Sequence, residues 1–277
     1  MLDVDPERLR FQGASAWRLA KKAINQWLDA PEGRTPQALF IVGCQRSGTT
    51  MLIDTLMRAP DLWVHPEKSA LAYDDFRLRS PATVEVITRL TPASTVIYKP
   101  LCDAHLTDRI LAAHRTAHAW WVVRDWRDVA NSAVRKWGSH QRDVIVDLAA
   151  GRGEAWGWRT ERVPEAMIAQ LKQLVIADLT PEAGAALFWY VRNSFYFSLG
   201  LDADPRVTLV RYEDLVSSPE ASFRPLFAQL GVSADPAWTA DIVATSVGKE
   251  TAPDISREVT AVCDALLQRF VEARAAS

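Results

Sequence analysis

The stretch Gly43-Cys-Gln-Arg-Ser-Gly48-Thr-Thr50 has the residue types and spacing to hold a phosphate. Two glycines with four residues between them let successive backbone N–H groups turn inward as an anion nest. A helix opening after the second glycine adds its positive end. Gly48 supplies backbone freedom, and the Thr49 and Thr50 hydroxyls add donors. A nucleoside triphosphatase loop carries Lys after the second glycine, then Ser or Thr on Mg²⁺. Here Thr49 fills the lysine slot, and the cation is Arg46, two residues before Gly48. No apolar strand ends in an isolated Asp to anchor magnesium; the run 119–123 ends in Arg124-Asp125. The loop predicts a phosphorylated ligand handled without a catalytic metal, and it disfavours ATP or GTP hydrolysis.

A second anion site follows from Arg124 and Ser132. Eight positions are about two helical turns, so both residues can face one crevice, and an arginine fork plus a hydroxyl suits a terminal phosphate. Asp125 and Asp128 read as a helix cap and an orienter of Arg124 rather than as metal ligands. Lys99 ends a further strand, Tyr98-Lys-Pro100, in the same crevice.

These residues need strands behind them. Leu39–Val42, Thr95–Tyr98, Ala119–Val123 and Val207–Val210 are short apolar runs, each read as a buried parallel strand. Helices are predicted over 49–59, 104–114, 126–137 and 219–230, the last ended by Gly231. Strand–helix alternation implies right-handed crossovers: an α/β, P-loop-like three-layer sandwich with a central parallel sheet flanked by helices. Open sheets of this kind bind ligands beyond the carboxyl ends of their strands. An amphipathic helix over 6–28 and a linker to residue 36 precede the first strand. Residues 138–185 contain no convincing strand and form a helical insertion, a candidate substrate lid. The whole, 1–277, reads as a single domain.

Composition agrees. Of 277 residues, 48% are apolar and 24% charged, and 32 basic against 34 acidic residues leave a net charge of −2. That excludes a basic nucleic-acid coat, and no nucleic-acid partner is expected. Three distant cysteines, Cys44, Cys102 and Cys263, fit neither a zinc site nor a disulfide framework, so a reducing compartment is expected. No apolar stretch approaches the ~20 residues of a membrane span. The opening Met-Leu-Asp-Val-Asp-Pro-Glu lacks the pattern of a signal peptide. The expected location is cytoplasmic. Trp, at 11 residues, is the outlier.

The sequence resembles the sulfotransferases that use 3′-phosphoadenosine-5′-phosphosulfate (PAPS). Gln45-Arg-Ser-Gly-Thr-Thr50 resembles their 5′-phosphosulfate loop, in the arginine version of the tyrosylprotein and many bacterial members. Arg124 through Ser132 resembles their 3′-phosphate motif. Arg211-Tyr-Glu-Asp-Leu215, a helix, and Leu230-Gly231 resemble their late strand–helix signature. The likeness spans roughly residues 38–270. It implies PAPS as cofactor, 3′-phosphoadenosine 5′-phosphate (PAP) as product, and no metal. Arg46, Ser47, Gly48, Thr49 and Thr50 would hold the 5′-phosphosulfate, Arg124 and Ser132 the 3′-phosphate. Tyr212 would lie near the nucleotide, and Ser246-Val-Gly-Lys249 would close over it, with Ser246 and Lys249 as contacts.

The implied reaction is in-line, metal-independent transfer of a sulfuryl group to a hydroxyl. Charge builds on the leaving bridging oxygen, so cation placement dominates. Arg46 would stabilise that side, and Lys99 the transferring sulfuryl oxygens. In the cytosolic branch of the family a His follows the equivalent Lys by two residues; here that position is Leu101. The arginine-loop branch uses a Glu after the loop's helix, which Glu67 in Val64-His-Pro-Glu67-Lys matches. His65 is the nearest rival, and a surface Glu67 paired with Lys68 is the plain alternative. His105 and His140 lack supporting spacing. Trp137, Trp156, Trp158 and Trp189-Tyr190 could line an acceptor groove or pack a core. A glycan, a lipid or a hydroxylated natural product all fit as acceptor; oligomeric state is not encoded. Two other functions stay open: a P-loop small-molecule kinase, and a catalytically inactive PAP/PAPS-binding protein.

Overall fold

The computed structural model describes residues 35–175, 178–244, 253 and 255–275. Its strands are β1 (Gln37–Gly43), β2 (Leu62–His65), β3 (Tyr73–Asp74), β4 (Arg77–Leu78), β5 (Thr95–Tyr98), β6 (His118–Val123) and β7 (Val207–Arg211). The helices are α1 (Thr49–Leu56), α2 (Pro81–Leu90), α3 (Thr107–Ala113), α4 (Trp126–Trp137), α5 (His140–Ala149), α6 (Glu165–Leu174), α7 (Pro181–Ser198), α8 (Tyr212–Ser217), α9 (Pro219–Gln229) and α10 (Arg257–Ala275). Four 3₁₀ turns, Leu101–Leu106, Gly153–Arg159, Leu201–Ala203 and Pro236–Trp238, complete the frame.

Five strands make one sheet in the order β2-β5-β1-β6-β7, with every neighbouring pair parallel. β3 and β4 pair separately as an antiparallel hairpin. From β1 the chain runs to one edge, returns through β5, then crosses to β6 and β7. The order therefore reverses at β1, and a crevice opens beyond the strand ends at such a point. Gly43, Tyr98-Lys99 and Val123-Arg124 all border it.

Strand alternation splits the core between the two faces of the sheet. Phe40, Val42, Tyr98, Trp121 and Val123 join the cluster that includes α4, α7 and α10. Leu39, Ile41, Ile97, Trp120 and Val122 join the one that includes α1, α8 and α9. Trp120, Trp121, Trp126 and Trp189 are all buried. Each indole N–H has an acceptor: Gln229 Oε1 at 3.1 Å, Asn193 Oδ1 at 3.2 Å, Asp264 Oδ1 at 2.8 Å and the Arg124 carbonyl at 3.0 Å, respectively. Much of the tryptophan excess is thus core, and Trp189 is not an acceptor-facing aromatic.

The four predicted strands appear within a residue or two of their expected ends, and α4 matches the predicted range. The helix predicted over 104–114 begins instead as the 3₁₀ turn Leu101–Leu106, directly after Lys99-Pro100. Residues 138–185 hold α5, the turn at Gly153–Arg159, α6 and the start of α7. The proposed helix over 6–28 lies outside the described residues. Among the described residues, no helix is long and apolar enough to cross a membrane.

Candidate active site

The phosphate loop runs from β1 into α1. Gly43 has φ +129° and a Cβ there would lie 2.4 Å from the Val122 carbonyl oxygen, so β1 and β6 can approach only through glycine. Gly48 has φ +84°, and its missing Cβ would lie 2.1 Å from Tyr212 Cδ2. The Cδ2–Cε2 side of the Tyr212 ring therefore packs directly against the loop at Gly48. Above that ring stands the Arg124 guanidinium, 4.5 Å from the centroid. Arg124 is 8% exposed and paired with Asp128 Oδ2 at 3.0 Å. Asp125 caps α4 by accepting from the Arg127 amide at 2.8 Å, while its own amide donates to Oε1 of the half-buried Glu213 at 2.8 Å. Both aspartates do what their spacing predicted.

The two anion motifs meet directly. Arg46 Nε donates to Ser132 Oγ at 2.9 Å. Its guanidinium lies 5.9 Å from the Trp137 ring. Burial, and then the neighbouring Arg124 and Arg135 guanidiniums, push Arg46 below the ordinary arginine range. Arg135 was not among the expected residues; it lies three positions after Ser132, a spacing that shares a helix face. Beneath the loop, the Ser47 hydroxyl and both amide atoms of Gln45 are buried without a hydrogen-bond partner. The donors among them, Ser47 Oγ and Gln45 Nε2, fit a ligand rich in acceptor oxygens.

On the other side of β1, Lys99 is buried and does not reach into solvent. Its Nζ donates to Thr50 Oγ1 at 3.4 Å and lies 3.0 Å from Glu67 Oε2. Glu67 is thus paired with Lys99, not Lys68, and faces the phosphate loop. The Lys99 backbone amide donates to the Tyr73 hydroxyl at 2.6 Å, which clips the β3–β4 hairpin to the end of β5. No spacing signal announced Tyr73, because it sits in a two-residue strand.

The histidines are placed differently. His65 is 7% exposed and stacks on Tyr98 with centroids 5.5 Å apart. Its Nδ1 faces Ser69 Oγ at 3.3 Å, its Nε2 is buried without a partner, and burial lowers its pKa. His105 is fully buried between Glu161 Oε2 at 3.0 Å and Arg192 Nη1 at 3.4 Å. Burial, then the Arg192 charge, holds it well below the usual imidazole range. His140 stands edge-on to Trp156. None of the three touches Lys99 or the loop in the hydrogen bonds described. Burial pushes the Cys44 and Cys102 thiols up to about 12, so neither serves as a nucleophile. Ser246 and Lys249 lie outside the described residues. Among the described residues, no group of three or more His, Cys, Asp or Glu side chains is arranged to hold a metal ion.

Residues 138–185 and the hairpin together border a cleft of ≈ 470 Å³, whose lining includes Arg77, Leu148, Trp158, Glu161 and Ile168. Arg77 bridges the hairpin to both Asp103 and Glu161.

No protein-family model matches the chain, and no curated protein matches it by sequence. Solved structures do. The sulfotransferase domain of the Synechococcus PCC 7002 olefin synthase aligns with a TM-score of 0.52 at 16% identity, over 86% of this chain and 98% of that one. The sulfotransferase domain from the curacin biosynthetic pathway gives 0.53 at 16%, over 85% and 99%. A sulfotransferase from Alicyclobacillus acidocaldarius gives 0.50 at 19%, over 86% and 95%. At these identities the likeness is one of fold: the chain has the sulfotransferase fold.

Proposed function

We propose that this chain, within one domain, moves a sulfuryl group from PAPS to a hydroxyl of a glycan, a lipid or a small natural product. The observation that carries the reading is the 2.9 Å bond from Arg46 to Ser132. It joins a phosphate-type loop without the P-loop lysine to a second anion motif, so one ligand with phosphates at both ends can span them. The orphaned Ser47 and Gln45 atoms and the Tyr212 platform fit the same ligand.

When bound, PAPS supplies an activated sulfuryl group. The residues would divide as follows. Ser47, Gly48, Thr49 and Thr50 hold the 5′ end, and Arg124 and Ser132 the 3′-phosphate. Arg46 offers its cation where negative charge grows, an interaction worth most in the transition state. Glu67 takes the proton of the acceptor hydroxyl. Lys99, bonded to both Glu67 and Thr50, fixes the carboxylate against the loop and presents its charge to the transferring oxygens. The geometry favours Glu67 over His65, whose ring nitrogens face inward.

The test is incubation of the purified chain with PAPS and a panel of hydroxylated acceptors, read by mass gain of one sulfuryl group. Transfer that persists in a chelator is expected. Phosphorylation of an acceptor by ATP and Mg²⁺, with no transfer from PAPS, would overturn the reading in favour of a kinase. Tight PAP binding with no transfer to any acceptor would leave a binding protein.

A further inference from the structure

Lys99 carries the ion pair on which the proposed transfer turns, and its main chain sits where regular structure ends. It lies one residue past the last paired position of β5, at which Tyr98 meets Phe40 and His65. Pro100 follows, with no N–H to continue a ladder. Pro100, at φ −83° and ψ 63°, is instead the centre of an inverse γ-turn, in which the Leu101 amide donates to the Lys99 carbonyl at 3.0 Å. The Leu101 carbonyl in turn accepts from Arg192 Nη2 at 3.3 Å, and Arg192 is fully buried on α7. The carbonyl side of Lys99 is thus fixed by a turn with a buried arginine behind it.

The amide side depends on Tyr73. The segment that leads to it from Glu67 folds back on itself: the Ser69 amide donates to the Pro66 carbonyl at 2.8 Å, and the Tyr73 amide to the Ser69 carbonyl at 2.9 Å. The two ends of that segment close on the same lysine. Glu67 Oε2 lies 3.0 Å from Lys99 Nζ, and the Tyr73 hydroxyl accepts from the Lys99 amide at 2.6 Å. Tyr73 is itself held. It is buried, and Leu78, its partner across the hairpin, donates from its amide to Asp103 Oδ2 at 2.7 Å. Asp103 belongs to the 3₁₀ turn that follows Pro100, so the hairpin and the Lys99 turn are fastened to each other at two points.

We infer that Tyr73 is a positioning residue for sulfuryl transfer: by holding the Lys99 amide, it sets where the Lys99 ammonium meets Glu67 and the phosphate loop. The inference deepens the sulfotransferase reading above and rests on it. A lysine stem is long and flexible, so a small shift at its root becomes a larger one at Nζ. That atom must satisfy Thr50 Oγ1 at 3.4 Å and Glu67 Oε2 at 3.0 Å together. A tyrosine that merely filled the core would leave turnover alone on losing its hydroxyl; one that aims Lys99 would not.

Tyr73→Phe removes the hydroxyl and keeps the ring. Turnover is measured at saturating PAPS with glucose, 1-octanol and 2-naphthol, using whichever of the three the wild-type protein sulfates fastest. We expect kcat to fall about tenfold or more, with PAP affinity and acceptor KM within about twofold of wild type. In a Lys99→Ala background the same change should add less than about twofold, because there is no ammonium left to aim. A readout independent of turnover is acetylation of Lys99 by acetic anhydride, followed by mass spectrometry, which should quicken severalfold in Tyr73→Phe as the ammonium leaves Glu67. Unchanged turnover, unchanged labelling, or a kcat loss that persists in full in the Lys99→Ala background each overturns the inference while leaving sulfuryl transfer standing. Loss of PAP affinity together with turnover overturns it too, since Tyr73 would then serve the whole fold. No sulfation of any of the three acceptors by the wild-type protein counts against the sulfotransferase reading and removes the inference with it.

Discussion

Replacing Gly48 by Ala strikes the contact that joins the two halves of the proposed nucleotide site. At φ +84°, an alanine pays about 1–2 kcal/mol for the left-handed backbone. Its Cβ would sit 2.1 Å from Tyr212 Cδ2 and 2.3 Å from Cε2. Carbon atoms rest about 3.5–4.0 Å apart, so the ring must retreat by more than about 1 Å. Tyr212 is buried and carries Arg124 4.5 Å above its centroid, so the retreat disturbs that stack. A desolvated cation–π contact contributes about 2 kcal/mol. The stability loss in urea should therefore be about 2–4 kcal/mol. Calorimetry should show PAP binding weakened by about tenfold or more, because Arg124 no longer stands where the 3′-phosphate needs it. The decisive measurement is a double-mutant cycle with Tyr212→Ala. Without the ring, Gly48→Ala should cost only the backbone strain, which leaves a coupling of about 1–2 kcal/mol between the two positions. Equal losses with and without the ring would refute the claim that this glycine serves the tyrosine.

Three further outcomes are expected. Glu67→Gln should keep PAP affinity and lose about 10²-fold or more in kcat, whereas Lys68→Ala, outside the Lys99 pair, should leave turnover nearly intact; normal turnover in Glu67→Gln with a dead His65→Ala would move the base to His65. Calorimetry should find adenosine 5′-phosphosulfate bound far more weakly than PAPS, by the several kcal/mol that lost charge-assisted bonds represent, and Arg124→Ala should abolish the difference. His105 has its folded pKa depressed, so below about pH 6.5 the unfolded chain binds the extra proton and stability falls as pH falls, by at most about 1.4 kcal/mol per unit. His65, His114 and His140 are shifted the same way. Urea midpoints at pH 7 and pH 5 should therefore drop in both proteins, but less in His105→Gln, and equal drops would exclude His105 as a source.

The proposed nucleotide side could be assembled from the sequence because its residues are local. A strand, a glycine frame and a helix are contiguous from Gln37 to Leu56, and Arg124 and Ser132 share one helix and the strand before it. Glu67 could be reached only through a family resemblance, since nothing near it in sequence states that Lys99 will lie 3.0 Å away. Helix α7 was not predicted because it is buried on nearly every side, from Ala183 to Tyr196, and so lacks a polar face to give its period away. Strand β2 is no shorter than β5, but it ends at His65, before Pro66, and lacks the β-branched apolar run that announced β5. Arg192 and Trp189 were hidden for the same reason as their helix. Their partners, Leu101, Trp158 and Arg124, are distant in sequence and are joined to them only by packing.

The Tyr73–Lys99 bond has an evolutionary consequence. The loop and helix residues proposed to hold the nucleotide grow out of β1, β6 and β7, so altering them disturbs the register of the sheet. The opposite wall does not grow out of the sheet. It hangs on a few side-chain links: the Tyr73 hydroxyl to the Lys99 amide, Arg77 to Asp103 and Glu161, and Arg192 to two carbonyls. A lineage could keep those anchors and exchange the sequence between them without changing the pairing of any sheet strand. Recognition of new acceptors would then drift over a donor site that stays fixed, and homologues should diverge fastest at 68–78 and 150–162 while the strand ends beside the loop stay still.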